Sequence, residues 1–355
     1  MQFIQEILVA ILMGYLAFTN NLATIIAEYI EPDPTSTNEG ENLVDISSQY
    51  QHDSAIPSVL LDNINYQGAS VIDGVITPPT KVTTKEALVN IFCTFTTDEY
   101  TRSTTGSGYF INDTGVIITN AHVAQFLLLD GIIDGDSSCV LRTGTPATPT
   151  YNTDLLYISP AWIQEHANLL TETSPSGTGE RDYALLYVTG RTDQAPMPAH
   201  FPALAIDTNL LTVGAVSSPI TAAGYPASIM QREGSGAELI EIETQSSIVE
   251  LMTFGSNYVD LFSIAGSKVG EQGASGGPIV NEAGRAIGMI STKGDDSRFG
   301  AGSLRAISLS YVDRTIKEET GYNLAQNVSG NLPFRAKIFR QTMVPFLQTL
   351  LSNEL

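Results

Sequence analysis

The sequence is short of basic residues. Seventeen Lys and Arg stand against 38 Asp and Glu, a formal net charge of −21. Phosphate backbones and anionic headgroups are repelled by such a surface, so nucleic acid is not expected as a partner. Cysteine and histidine are also scarce. Two cysteines, Cys93 and Cys139, exclude a disulfide-built scaffold, and with four scattered histidines they form no zinc-binding spacing. No metal or other cofactor is expected. Whether the two cysteines pair stays open, because both fall in predicted strands of one half of the chain and pairing depends on their Cα separation. The alternative is two separate buried thiols acting as small hydrophobes. The 43% apolar content over 355 residues is ample for a packed core.

No Lys or Arg precedes Lys81. The run Ile7 to Ile30 is apolar save for Thr19, Asn20, Asn21, Thr24 and Glu28, which is long enough for a membrane-crossing helix. Residues 1–30 are therefore expected to be a membrane anchor, although no charge is present for the positive-inside rule to act on. Its densest part, Ile7 to Phe18, also has the size of a signal-peptide core, with cleavage after Ala27 as the alternative; a docked amphipathic helix is a third reading. Residues 31–84, acidic and rich in Pro, Ser, Asn and Gln, read as a flexible spacer. The expected location is extracytoplasmic, membrane-held, or secreted if the leader is cut.

From about Ala87 the pattern changes to short β-rich runs. They are Ala87–Phe95, Gly108–Ile111, Val116–Thr119, Cys139–Arg142, Tyr151–Ile158 and Tyr183–Val188, then Thr221–Tyr225, Leu239–Leu251, Val259–Ile264, Pro278–Asn281 and Ala286–Ser291. Such spacing without helical periods predicts an antiparallel all-β sandwich or barrel pair. Helices are predicted at Leu309–Glu319 and at Phe334–Leu351, the second interrupted by Pro345 and packed on a barrel. The stretch between His122 and Asp182, with Trp162 and His166, is expected to form surface loops.

Three segments carry chemistry: Thr119-Asn120-Ala121-His122-Val123, Arg181-Asp182-Tyr183-Ala184 and Gly273-Ala274-Ser275-Gly276-Gly277-Pro278. A serine hydroxyl needs a base within hydrogen-bond reach, and that base needs a carboxylate on its other nitrogen. Ser275, His122 and Asp182 supply these roles. The glycines beside Ser275 allow the amides of Gly273 and Ser275 to converge on a developing oxyanion. His166 is a rival base, and Asp154 and Asp193 are rival carboxylates, but none has the surrounding pattern. Asp130, Asp134 and Asp136 form an acidic loop that lacks calcium-loop spacing and reads as a solvated turn.

Together with Gly106-Ser107-Gly108-Tyr109-Phe110, Ala222-Ala223-Gly224-Tyr225-Pro226 and Gly284 to Ser291, these segments resemble trypsin-fold serine peptidases, nearest the bacterial HtrA-like branch. The resemblance implies two six-stranded antiparallel β-barrels, about 85–200 and 201–308, within a catalytic domain of 85–320, followed by a helical tail, 321–355. It implies a serine endopeptidase acting on polypeptide substrates through an acyl-enzyme, in envelope processing or quality control. A substrate strand would add to the edge Ser291-Thr292-Lys293, and Val269 would lie at the floor of the primary pocket, with Glu271 a rival there. The tail is too short for the PDZ domain usual in the HtrA-like branch. Ala274 replaces the aspartate that receives a freed N-terminus in trypsin-type zymogens, so activation by clipping is not expected. Two other readings are a catalytically inactive peptide-binding module of the same fold and, less favoured, an esterase.

Overall fold

In the computed structural model the described residues are Leu43–Asp45, 81–132, 135–167, 178–226, 238–255, 257–270 and 274–352. The expected anchor, residues 1–30, lies outside them, as does nearly all of the expected spacer. Among the described residues no helix is long and apolar enough to cross a membrane.

Six strands close the first barrel: β2 (Leu88–Thr96), β3 (Thr101–Phe110), β4 (Val116–Thr119), β5 (Asp136–Thr143), β6 (Thr148–Ile158) and β7 (Ala184–Arg191), with β1 being the short outlying strand Leu43–Asp45. Alternation along β2 sends Val89, Ile91, Cys93 and Phe95 into the core, as the two-residue strand period requires. That face and the antiparallel register together set Cys93 directly opposite Cys139, and the two form a disulfide between β2 and β5. The question the sequence left open is thus decided by register.

A second ring consists of β9 (Pro219–Gly224), β10 (Ile242–Thr253), β11 (Leu261–Ile264), β12 (Pro278–Asn281), β13 (Arg285–Lys293) and β14 (Leu304–Ser308), closed by the β9–β10 pairing. The two-residue β8 (Ala205–Ile206) and β1 pair parallel to its outside. Phe262, Ile264, Ile290, Leu304 and Ala306 fill this barrel. Their strand neighbours Leu261, Met289 and Ile307 face the other way and join the core of the first barrel. The two barrels therefore share one apolar seam. Both barrels have the six antiparallel strands expected.

The helix Leu309–Thr320 begins where β14 ends. The Ser308 hydroxyl accepts the Tyr311 amide at 3.1 Å, and Gly321, at φ 78°, closes the helix in a left-handed cap. The C-terminal helix Leu332–Ser352 buries Leu332, Ala336, Phe339, Met343, Leu347 and Leu351, a stripe at three- and four-residue steps, and contacts β6 and β7. It runs through Pro345 without the interruption expected. Pro345 and Gln341 are both on the exposed side, so the carbonyl that loses its amide partner faces solvent and the buried stripe continues unbroken. Trp162 also departs from expectation. It belongs to a helix, Pro160–His166, capped by Ser159, and is buried against the first-barrel core instead of lying in a surface loop.

Candidate active site

Asp182 lies between Arg181 and β7, and its carboxylate is buried. Three donors converge on it. The His122 amide reaches Oδ1 at 3.0 Å, the His122 ring Nδ1 reaches Oδ2 at 2.8 Å, and the Ser291 hydroxyl donates to Oδ2 at 2.9 Å. An ionised carboxylate only accepts, so Nδ1 carries the proton and Nε2 is left with its lone pair free. His122 itself sits on the single turn Ala121–Ala124 at the end of β4, and Asn120 at the start of that turn donates through Nδ2 to the Asp182 carbonyl at 2.8 Å.

Burial disfavours the charged imidazole of His122, but the Asp182 carboxylate and its hydrogen bond outweigh that and hold the group above its ordinary 6.5. Burial likewise opposes ionisation of Asp182, while His122 and the Ser291 hydroxyl bring the carboxyl below its usual 3.8. If His122 serves as a general base, an acid limb in the pH–rate profile is expected above pH 6.5, because only the neutral imidazole can take a proton. Stability runs the other way: the contribution of a raised histidine is complete below its unfolded pKa and fades as pH rises through the folded value. A pH–rate profile with its acid limb below 6.5 would contradict the coupling.

Ser275 occupies a turn just before β12. The turn is fixed by its backbone: the Gly276 amide donates to the Ile290 carbonyl at 2.7 Å, the Ile290 amide to Gly277 at 2.9 Å, and the Ser107 amide of β3 to the Ser275 carbonyl at 2.7 Å. Gly276 has φ 89°, and a Cβ there would stand 1.9 Å from the Ser107 carbonyl oxygen. Only glycine lets the turn approach the first barrel this closely. The Ser275 hydroxyl donates to the Ser291 carbonyl at 3.2 Å. Among the described residues it makes no hydrogen bond to His122.

The profile of the trypsin-like peptidase domain matches residues 106–289 of this sequence. The chain belongs to the trypsin-like peptidase family. A search of curated proteins finds no match. Among solved structures the peptidase is similar to Rv3671c from M. tuberculosis H37Rv, a serine-to-alanine mutant in an inactive form, with 17% identity, 67% of this chain and 88% of that chain covered, and a TM-score of 0.38.

The remaining expected site residues of this peptidase fall as follows. Gly273 and Glu271 lie outside the described residues. Ser291, Thr292 and Lys293 are at the end of β13, where β14 pairs on one side and the β12 pairing has already stopped at Met289. Val269 is wholly buried in the second-barrel core with Ala274, so it presents no surface to a substrate side chain in this structure. His166 stacks on Trp162 at 5.0 Å between ring centres. Asp154 pairs with Arg340 of the C-terminal helix, and Asp193 pairs with Arg191 at 2.7 Å. None of these three rivals joins the His122–Asp182 pair. Sequence reasoning missed the Ser291 side chain, which was expected only as part of a substrate edge. A buried serine leaves no pattern in the sequence that would say which carboxylate it meets.

Behind Asp182 the chain is clamped to the helix Leu309–Thr320. Arg181 adopts φ 52°, an uncommon value for a non-glycine residue. Its amide donates to the Tyr311 hydroxyl at 3.2 Å, and its guanidinium pairs with the buried Glu319, which also accepts from Tyr157 and, at 3.0 Å, from Ser159. Burial acts against the charge of Arg181, but Glu319 more than offsets it and raises its pKa. Glu319→Gln keeps the shape and removes the buried counter-charge, leaving Arg181 only the exposed Glu318 at 3.6 Å. A loss of about 3 kcal/mol in urea unfolding is expected, from the cost of stranding one member of a buried pair. A variant within about 0.5 kcal/mol of the parent, the ordinary range for surface substitutions, would show the clamp to be energetically idle.

Proposed function

We propose that this trypsin-like peptidase is a serine endopeptidase with Ser275 as nucleophile, His122 as general base and Asp182 as its orienting carboxylate. The observation that carries the reading is the His122–Asp182 contact, 2.8 Å through Nδ1, which leaves Nε2 as the basic nitrogen. The Ser275 hydroxyl rotates from the Ser291 carbonyl toward Nε2 when substrate displaces it. Catalytic hydrogen bonds are often long or misaligned before substrate binds, so the free-state orientation is compatible with this role.

Oγ then forms a bond to the scissile carbonyl carbon while its proton passes to Nε2. Asp182 stabilises the imidazolium, and the amides of Ser275 and Gly273 receive the oxyanion. Collapse breaks the C–N bond, His122 returns the proton to the departing amine, and water, deprotonated by the same imidazole, hydrolyses the acyl-enzyme. The Cys93–Cys139 disulfide supports a place outside the cytoplasm, where such bonds persist, with processing or quality control of proteins there as the role.

The second reading is an inactive peptide-binding module, and the observation in its favour is the Ser275 hydroxyl bonded to Ser291 and not to His122. Reaction with a fluorophosphonate separates the two. Stoichiometric adduct on Ser275, identified by peptide mass mapping, is expected; folded chain that takes up no label would leave the binding module as the better account.

A further inference from the structure

Two buried polar atoms beside the open end of β13 have no partner among the described residues: the Thr292 hydroxyl and Nε of Arg305. They are neighbours. Thr292 pairs with Arg305, and Arg305 pairs in turn with Ser263, so the three share one face of β13, β14 and β11. The adjacent positions Ile264, Ile290, Leu304 and Ala306 point into the barrel. The face bearing Thr292 and Arg305 is therefore the outer one, continuous with Leu261, Met289 and Ile307 at the seam.

Nε likewise makes no hydrogen bond among the described residues in Arg142, Arg314 and Arg335, but Arg314 and several other arginines of this acidic chain have a carboxylate on the guanidinium. Arg181 pairs with Glu319, Arg298 with Glu250, Arg314 with Asp260 and Arg340 with Asp154. With 38 acidic residues available against 17 basic ones, a partly buried guanidinium without a carboxylate is an unmet electrostatic demand. Gly179 packs over Ser291 and Leu261 at the seam end of this face, where a Cβ would stand 3.1 Å from the Ser291 hydroxyl.

The location bears on substrate. Past Ile290, whose amide and carbonyl are taken by the Ser275 turn, the β13 edge has no strand partner on that side among the described residues, and the Ser291 carbonyl receives the Ser275 hydroxyl, which marks the level of the scissile residue. The half of the substrate that stays on Ser275 as the acyl group is the half this edge must hold. In a strand added there, side chains alternate between faces, so the residue next to the scissile one lies opposite Thr292 and points to the Thr292–Arg305 face.

We infer that Thr292 and Arg305 form a subsite for a carboxylate, so that substrates with glutamate immediately N-terminal to the scissile residue are preferred; this rests on the peptidase reading above. The residue two positions further along shares the face and follows the same preference more weakly. The single residue between them, on the other face, does not.

The test is a pair of peptides differing only as Glu or Gln at that position. Wild-type kcat/KM is expected to favour Glu by about tenfold or more, the scale of a hydrogen bond to a charged group. Arg305→Gln should bring the ratio close to one, and Arg305→Lys should keep part of it. Because the ratio is internal to each variant, a general loss of activity does not disguise the result, and fluorophosphonate labelling reports separately whether Ser275 is reactive. A labelled wild type with a ratio near one, or a preference that survives in Arg305→Gln, overturns the subsite and leaves the peptidase reading intact. If the folded chain neither labels nor cleaves, the peptidase reading fails instead. Binding of the same peptides, followed by fluorescence anisotropy, then decides the subsite: tighter Glu binding that depends on Arg305 supports it, and equal binding overturns it.

Discussion

Ser275→Ala is expected to lower peptide turnover about a millionfold, by comparison with removal of the nucleophile from another serine protease. The effect is this large because in the proposed mechanism the hydroxyl is the atom that bonds to substrate, and neither His122 nor Asp182 can take its place. The fold should hardly notice. In the free chain the hydroxyl makes one hydrogen bond, 3.2 Å to the Ser291 carbonyl, while the turn is held by the amides of Gly276, Ile290 and Ser107. A stability change of about 1 kcal/mol or less is therefore expected. Turnover and thermal melting measured on one preparation test both halves. A well-folded variant with undiminished turnover would remove Ser275 from the mechanism.

Asp182→Asn should cost about ten-thousandfold in kcat, on the scale seen for the equivalent change in a related triad. The reason is the count of donors. Asp182 accepts from the His122 amide, from His122 Nδ1 and from the Ser291 hydroxyl. Asparagine offers a single acceptor oxygen and places an NH2 among these donors. The imidazole relieves the conflict by moving its proton to Nε2, so the nitrogen that should take the Ser275 proton is already occupied. The pH profile provides a second readout. Without the carboxylate nothing raises the His122 pKa against burial, so any residual activity should show its acid limb moved to lower pH. In the parent, the stability contributed by ionised Asp182 is present above the carboxyl's unfolded value of 3.8 and is lost as pH falls through the lower folded value; the variant should lack that acid-sensitive part. Equal kcat in the two proteins would mean that His122 is oriented by something else.

Legibility in the sequence varied with how local each feature is. The runs Val116–Thr119 and Pro278–Asn281 appear with the bounds expected, because short apolar segments closed by turn residues have few other structures available. The strand β3 extends back to Thr101 through a polar stretch, Thr101 to Thr105, that has no strand-like apolar alternation. The closing strand β14 was missed altogether. Its five residues run straight into the helix Leu309–Thr320, and nothing in Leu304 to Ser308 separates a strand end from a helix start. Pro345 misled for a different reason, since its effect on a helix depends on which side of the helix it occupies, and only packing decides that.

Sequence alone determined the fold class, the order of the His122, Asp182 and Ser275 segments, and the tight glycine turn around Ser275, because side-chain period and backbone freedom are properties of neighbouring residues. The tertiary structure decided what those residues meet: Cys93 with Cys139, Ser291 with Asp182, and Glu319 with Arg181. Each of these contacts joins distant parts of the chain, and the distance between such parts is fixed only when strand register and barrel closure are set together.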